Sequence, residues 1–293
     1  MGSFLESWRV RKRASFVAYT TFYDTRCHRE KDFIDAFHTL ITLFSYQVWG
    51  IFLKVLIIGH GNLGHDLLLF CKKYGLSYHL ISTNEQRFSD DFDDAYEADL
   101  IINTVGGGVH ESYDTLWKKN ISLNLELSQM FIDRPIIAFS SNAALEPYRT
   151  PYSSIKKSVE SLTGSIKNFH VIRVSTLYGN YRLSDTFPWK LRNNYIRPTH
   201  LNLPTNYIQP TPTKWLAEKI FNLSIFRKIS SLENRIFSIV PFGHTTYEEW
   251  GKVILGEEYK ITPRDYDPLY TKDKILVSNY PDTWEELWNQ YKI

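Results

Sequence analysis

The feature that most constrains this chain is the stretch from Leu53 to Leu69, LKVLIIGHGNLGHDLLL, where an unbroken apolar run meets three glycines and then a helical apolar spacing. Gly59, Gly61 and Gly64 spell G-x-G-x-x-G directly after the run and directly before the helical pattern. That order suits a buried strand, a tight turn and a helix whose N-terminus faces an anion. Gly59 permits the turn, Gly61 lets the backbone approach a pyrophosphate, and Gly64 allows close contact between helix and strand. Asn62 and Leu63 complete the turn. The motif predicts a dinucleotide cradle.

The sequence beyond the cradle repeats the same alternation. KVLIIG, SYHLIST, ADLIINTVG, RPIIAFSS and FHVIRVSTLYG read as strands, and LGHDLLLFCKKYG, YDTLWKKNISLNLELSQMF and YSSIKKSVESLTGSI read as helices. Strands rich in Ile and Val without polar alternation fit a parallel sheet covered on both faces. The order predicts an α/β fold, a Rossmann-type doubly wound parallel sheet over residues 53–179 that includes the Tyr/Lys helix. After Gly179, prolines at 188, 198, 204, 210 and 212 punctuate shorter elements. Residues 180–293 are therefore expected to form mainly a smaller C-terminal substrate-binding lobe, with the chain returning to the sheet.

Residues 1–52 stand apart as an N-terminal extension. Behind the basic cluster Arg9, Arg11, Lys12 and Arg13 runs FIDAFHTLITLFSYQVWGIF. It reads as a signal anchor, as an amphipathic helix packed on the domain, or as a stretch upstream of the functional start, since Leu53 stands where a strand-first enzyme would begin.

Composition excludes several classes. With 293 residues, 43% hydrophobic and 23% charged, the chain can bury a large core and does not read as disordered. A net charge of +2 supplies no field that would draw nucleic acid. Cys27 and Cys71, the two cysteines, make neither a disulfide framework nor a metal site, so a reducing cytoplasm is expected and no metal. A membrane partner is not expected.

About 20 residues beyond the glycines, an acidic side chain would hold the ribose of NAD. Here the segment is ISTNEQRF, with Thr83 and Asn84 at the strand end and Arg87 close behind. Neutral residues plus an arginine point towards the 2′-phosphate of NADP, with NAD as the alternative. Thr104, Val105 and Gly106, in NTVGGG, follow a further strand and are expected to line the cofactor.

The chemistry is sought in FSSNAALEPYRTPYSSIKKSVESL. Tyr152 and Lys156, four residues apart, share one face of a helix. Free tyrosine, with a pKa of about 10, is a poor proton donor and acceptor at neutral pH. A neighbouring ammonium stabilises the phenolate and brings that value down. The same lysine can bond the ribose of a nicotinamide, and a serine at the end of the preceding strand can meet a substrate carbonyl.

This set resembles the short-chain dehydrogenase/reductase superfamily, whose site is Ser, Tyr-x-x-x-Lys. HGNLGHDL, VIRVSTLYG, IQPTPTKWLAEKIFNL and RIFSIVPFGHTTYEEWGKVI look, in that order, like segments of the dTDP-4-dehydrorhamnose reductases. The likeness spans about residues 53–255. It implies hydride transfer from a nicotinamide to the C4 ketone of a nucleotide-activated sugar. Tyr152 would protonate the alkoxide, Lys156 would hold the ribose and tune the tyrosine, and Ser141, or Ser140 in its place, would orient the carbonyl. Asn120 matches a helix asparagine that supports the lysine through water. Arg182, Lys190, Arg192 and Arg197 are candidates for the substrate diphosphate, with Arg182 and Arg192 foremost. A homodimer is compatible with the resemblance.

The chain also departs from the family. Ile58 replaces the first glycine of G-x-x-G-x-x-G, and Ser141 precedes Tyr152 by a short interval. Asn142 and Ala143 stand where sugar-nucleotide dehydratases need an acid pair, and no cysteine is placed for the fucose-type epimerase-reductases. A 4-epimerase using the same Ser, Tyr and Lys, or a binding subunit without turnover, are the alternatives.

Overall fold

In the computed structural model the described residues are 53–82, 97–108, 111–145, 150–182, 184, 186–193, 207–222, 235–256 and 276–292. The N-terminal extension, and with it the anchor, packed-helix and upstream readings, lies outside them, as do Thr83, Asn84, Arg87 and Arg197.

The apolar runs form the centre of a six-stranded sheet ordered β2-β1-β3-β4-β5-β9. These strands are β1 (Lys54–Ile58), β2 (Ser77–Ile81), β3 (Leu100–Asn103), β4 (Ile136–Ser141), β5 (Phe169–Val174) and β9 (Ile236–Ser238), and every pairing is parallel. Val55 to Ile58 and all of β3 are buried, which is why these segments show no polar alternation. From β1 the chain steps to β2 on one side and later crosses back to β3 on the other. The strand order therefore reverses between β1 and β3, and a crevice opens there at the carboxyl ends of the strands. The fold is a Rossmann-type α/β sheet.

Right-handed crossovers then put α1 (Asn62–Tyr74) on one face and the helices that follow β3 and β4 on the opposite face. Gly61 caps the start of α1, and Gly75 ends it in the left-handed conformation at φ 65°. On the other face lie α2 (Tyr113–Trp117), a π-helical turn (Lys118–Ser122), α3 (Leu123–Met130) and α4 (Pro151–Ser165). The spacing of YDTLWKKNISLNLELSQMF predicts one continuous helix; the structure interrupts it with the π turn. A π turn adds one residue to a helical circuit and rotates the side chains it carries. Thr150 and Ser153 form a capping box at the start of α4, with Pro151 in its first turn. The core between sheet and helices contains Leu56, Ile101, Leu116, Leu127, Ile155, Val159 and Val171.

The C-terminal part makes a second core and also completes the first. Leu177–Tyr178 (β6) pairs with Thr211–Pro212 (β8), and Tyr207–Ile208 (β7) with Thr245–Thr246 (β10). Around them, α5 (Phe187–Arg192), α7 (Tyr247–Leu255) and α8 (Trp284–Tyr291) bury Tyr178, Trp250, Trp284 and Trp288. Between these elements, α6 (Thr213–Asn222) returns to α1, where Phe221 stacks on Phe70 at 4.6 Å, and β9 returns to the sheet edge. Among the described residues no helix is long and apolar enough to cross a membrane.

The first turn of α1 sits directly on the turn that precedes it. A Cβ added at Gly64 would overlap the carbonyl oxygen of Gly59 and lie 3.0 Å from Thr104 Oγ1. Backbone atoms cannot move aside as a flexible side chain does. Gly64→Ala should therefore lower stability by about 1–3 kcal/mol. A urea unfolding midpoint equal to that of the wild type would show that helix and turn have room to separate.

Candidate active site

The crevice is built first by the glycine turn. Gly59 takes φ +98°, a conformation that L side chains rarely adopt, and a Cβ there would lie 2.8 Å from Thr104 Oγ1. Thr104 accounts for that closeness: its hydroxyl donates to the carbonyl oxygens of Ile58 (2.9 Å) and Gly59 (3.0 Å). Its role is to staple the turn to the end of β3. Gly61 is different, since nothing lies within 4 Å of a Cβ placed there. The backbone is thus open to a ligand at Gly61 and tightly packed at Gly59 and Gly64, which is how a dinucleotide cradle should divide its glycines.

Beside the cradle lies a cavity of about 390 Å³. Leu63, Thr104, Val105, Gly106, Tyr152, Lys156 and Arg182 line it. The structure thus brings the expected turn, strand-end and helix residues to one place.

Lys156 is the most constrained side chain there. Only 5% of the residue is exposed, and its Nζ donates to Asn120 Oδ1 (2.8 Å) and to the carbonyl oxygen of Phe139 (3.1 Å). Burial pushes its pKa down from 10.5 to about 8. The Nζ lies 5.6 Å from the ring centroid of Tyr152, one turn earlier on α4. Tyr152 is in the first turn of that helix, where the helix dipole also favours negative charge.

Asn120 holds the lysine directly, a correction to the water-mediated support expected from the sequence. The π turn carries Asn120, buried to 2% exposure, with its Nδ2 donating to the Leu116 carbonyl. The bonds continue: Asn124 Nδ2 donates to the Asn120 carbonyl, Asn103 Nδ2 to Asn124 Oδ1, and the Val105 N–H to Asn103 Oδ1. A buried asparagine network therefore runs from the lysine to the loop after β3. Asn103 and Asn124 were missed by sequence reasoning, and their one signal is a polar residue inside an otherwise apolar strand or helix face.

The two serines divide by strand alternation. Ser140 lines the cavity, but its Oγ donates to Glu160 Oε1 at 2.8 Å, and Glu160 is itself paired with Arg173 at 2.7 Å. Ser141 Oγ donates to Asn142 Oδ1 (3.0 Å) and accepts the Ala143 N–H (3.2 Å). Ser141 is not among the described residues that line the cavity.

Other expectations separate in the same way. Asn62 does not face the cradle alone: its Oδ1 accepts the Arg182 N–H at 2.6 Å, and its Nδ2 donates to the Arg182 carbonyl at 3.3 Å. Arg192 is not brought to the cavity. Its guanidinium carbon lies 5.8 Å from the Trp288 ring centroid, against the second core. Glu111 and Lys119, which the sequence reading passed over, line the cavity and bond each other at 2.9 Å. Burial opposes the Glu111 charge, yet bonds from Lys119 and from the Gly108 N–H hold its carboxyl below the usual range.

No protein-family model matches the sequence, and a search of curated proteins finds no match. Solved structures do match. The dTDP-4-dehydrorhamnose reductase of Clostridium acetobutylicum superposes with a TM-score of 0.65 at 16% identity, covering 82% of this chain and 98% of that one. The chain shares the fold of these enzymes. The Bacillus anthracis dTDP-4-dehydrorhamnose reductase, solved with NADP, gives 0.64 at 14% identity over 81% and 98% of the two chains. The UDP-glucose 4-epimerase of Thermus thermophilus, solved with NAD, gives 0.51 at 13% over 82% and 94%. Such neighbours confirm the Rossmann-type fold that the order of elements predicts.

The buried lysine has a measurable consequence. In the unfolded chain Lys156 regains its ordinary pKa of 10.5, so between about pH 8 and 10.5 the unfolded state binds more protons than the folded one. The full penalty of burying Lys156 is present below pH 8 and is relieved as pH rises through that window. Relative to Lys156→Met, the wild type should therefore gain stability between pH 7.5 and pH 10 in urea unfolding. Parallel behaviour of the two proteins would mean that Lys156 titrates as if exposed.

Proposed function

We propose that this chain is an NAD(P)-dependent oxidoreductase that reduces the keto group of a nucleotide-activated sugar. One observation supports this most: Lys156, buried and held by Asn120 and Phe139, lies under the ring of Tyr152 in a cavity that opens on the glycine cradle. That is an arrangement for moving one proton beside a bound dinucleotide.

The residues fit such a cofactor. Gly59 and Gly64 close the turn, Gly61 leaves the backbone open, and Val105 and Gly106 border the cavity with Lys156 Nζ 3.8 Å from a Cβ placed at Gly106. A bound nicotinamide dinucleotide supplies the hydride. NADP is the expected form and NAD the alternative.

The chain supplies the proton and the orientation. Tyr152 donates its hydroxyl proton to the alkoxide that forms at the substrate carbon. Lys156, close to half charged at about pH 8, stabilises the phenolate left behind. Ser141, whose hydroxyl bonds only its neighbours Asn142 and Ala143, is the proposed group that orients the substrate oxygen, and Ser140, which lines the cavity but donates to Glu160, is the alternative. Arg182 meets the diphosphate, where a planar guanidinium can bond two oxygens. A cytoplasmic enzyme acting on a soluble nucleotide sugar fits this chemistry.

Two experiments test the reading. Titration with NADPH and NADH, followed by nicotinamide fluorescence, should show saturable binding that Gly61→Asp abolishes while the fold persists. No binding of either cofactor would remove the reductase reading. With 4-keto-6-deoxy sugar nucleotides, NADPH should be consumed, and Tyr152→Phe should lower kcat by about 100-fold or more. Conversion of a sugar nucleotide without net NADPH consumption would identify epimerisation instead.

A further inference from the structure

The short loop after β6 is fastened to the glycine turn by three separate contacts. Gly179 lies against Asn62, whose Cβ would be 3.0 Å from a Cβ at Gly179. Asn62 then holds both the N–H and the carbonyl of Arg182. Between these points, Tyr181 stacks on His65 with ring centroids 4.1 Å apart and planes 9° apart, and on His60 at 4.6 Å. His60 is the residue between Gly59 and Gly61, and Asn62 is the first residue of α1. His60 and Asn62 flank Gly61 in the turn that would carry the cofactor pyrophosphate, while His65 lies in the first turn of α1 just beyond it. The loop they fasten presents Arg182 to the cavity.

We propose that Asn62 and Tyr181 are positioning residues that link the two anion sites, so that dinucleotide binding presets Arg182 for the diphosphate of the second ligand; this rests on the reading given above. A pyrophosphate bound at the cradle immobilises the turn between Gly59 and Asn62. Through Asn62 and the stack on His60, the same event immobilises the Tyr181–Arg182 backbone. A second anion then meets an arginine whose ordering cost has already been met. Such coupling is reciprocal, so a nucleoside diphosphate must tighten cofactor binding by the same factor.

The test is calorimetric titration of the full chain with UDP and with dTDP, each with and without saturating NADP⁺. In the wild type, NADP⁺ should tighten binding of at least one diphosphate by about fivefold or more. Tyr181→Ala and Asn62→Ala should each bring that ratio to one, whereas Tyr181→Phe, which keeps the stacked ring and loses only the 3.4 Å contact of its hydroxyl with His60 Nδ1, should preserve it. A simple loss of packing would weaken both ligands and leave the ratio unchanged. Arg182→Ala should weaken diphosphate binding whether or not NADP⁺ is present. A ratio of one in a wild type that binds NADP⁺, failure of both diphosphates to bind, or an unchanged ratio in both alanine variants overturns the inference alone. Failure of the wild type to bind NADP⁺ and NADPH overturns the proposed function and the inference with it.

Discussion

The site depends on keeping a lysine ammonium out of water. Burial of an unpaired charge is costly, and the Lys156 ammonium is held by an amide oxygen and a backbone carbonyl. Those two acceptors come from different elements, the π turn and β4. Lys156 therefore requires α4, the sheet and the α2–α3 segment to be in register. Asn120 stands on the π turn, its backbone carbonyl accepts from Asn124 Nδ2, and Asn103 Nδ2 donates in turn to Asn124. Satisfied buried polar networks of this kind rigidify and specify a core, while half-satisfied ones destabilise it.

The glycine turn and the asparagine network meet at the loop after β3. Thr104 ties that loop to the carbonyls of Ile58 and Gly59, and Val105 ties it to Asn103. The glycine turn and Lys156 are thus joined through this loop and the asparagine network. The C-terminal part joins the unit through Asn62 and Arg182, and through Thr213, whose hydroxyl donates to Asp66 on α1 at 2.5 Å. Burial raises the Asp66 carboxyl, while that hydroxyl and nearby cations restrain the shift.

Much of this was legible in the chain. Apolar runs without alternation announced a buried parallel sheet, and the three glycines announced the turn, because strand burial and backbone crowding act through residue type alone. Tyr152 and Lys156 were legible for a similar reason: a spacing of four places two side chains on one helix face wherever the helix lies. Starts of α7 and α8 follow the same logic, as Thr246 with Glu249 and Thr283 with Glu286 form capping boxes within four residues.

What depended on distant elements was not legible. Arg182 and Arg192 look alike in sequence, yet Asn62 holds the first beside the cavity while Trp288, nearly a hundred positions further along, holds the second against an aromatic core. Ser140 and Ser141 are adjacent, yet Ser140 bonds Glu160 on the distant α4 while Ser141 bonds only its neighbours Asn142 and Ala143. Local sequence thus determined the strands, the cradle and the Tyr-Lys face, because those follow from patterns within one element. The tertiary structure alone decided the lysine's partners, the bond from Ser140 to Glu160 and the arginine that reaches the cavity, because each requires a contact between segments far apart in the chain.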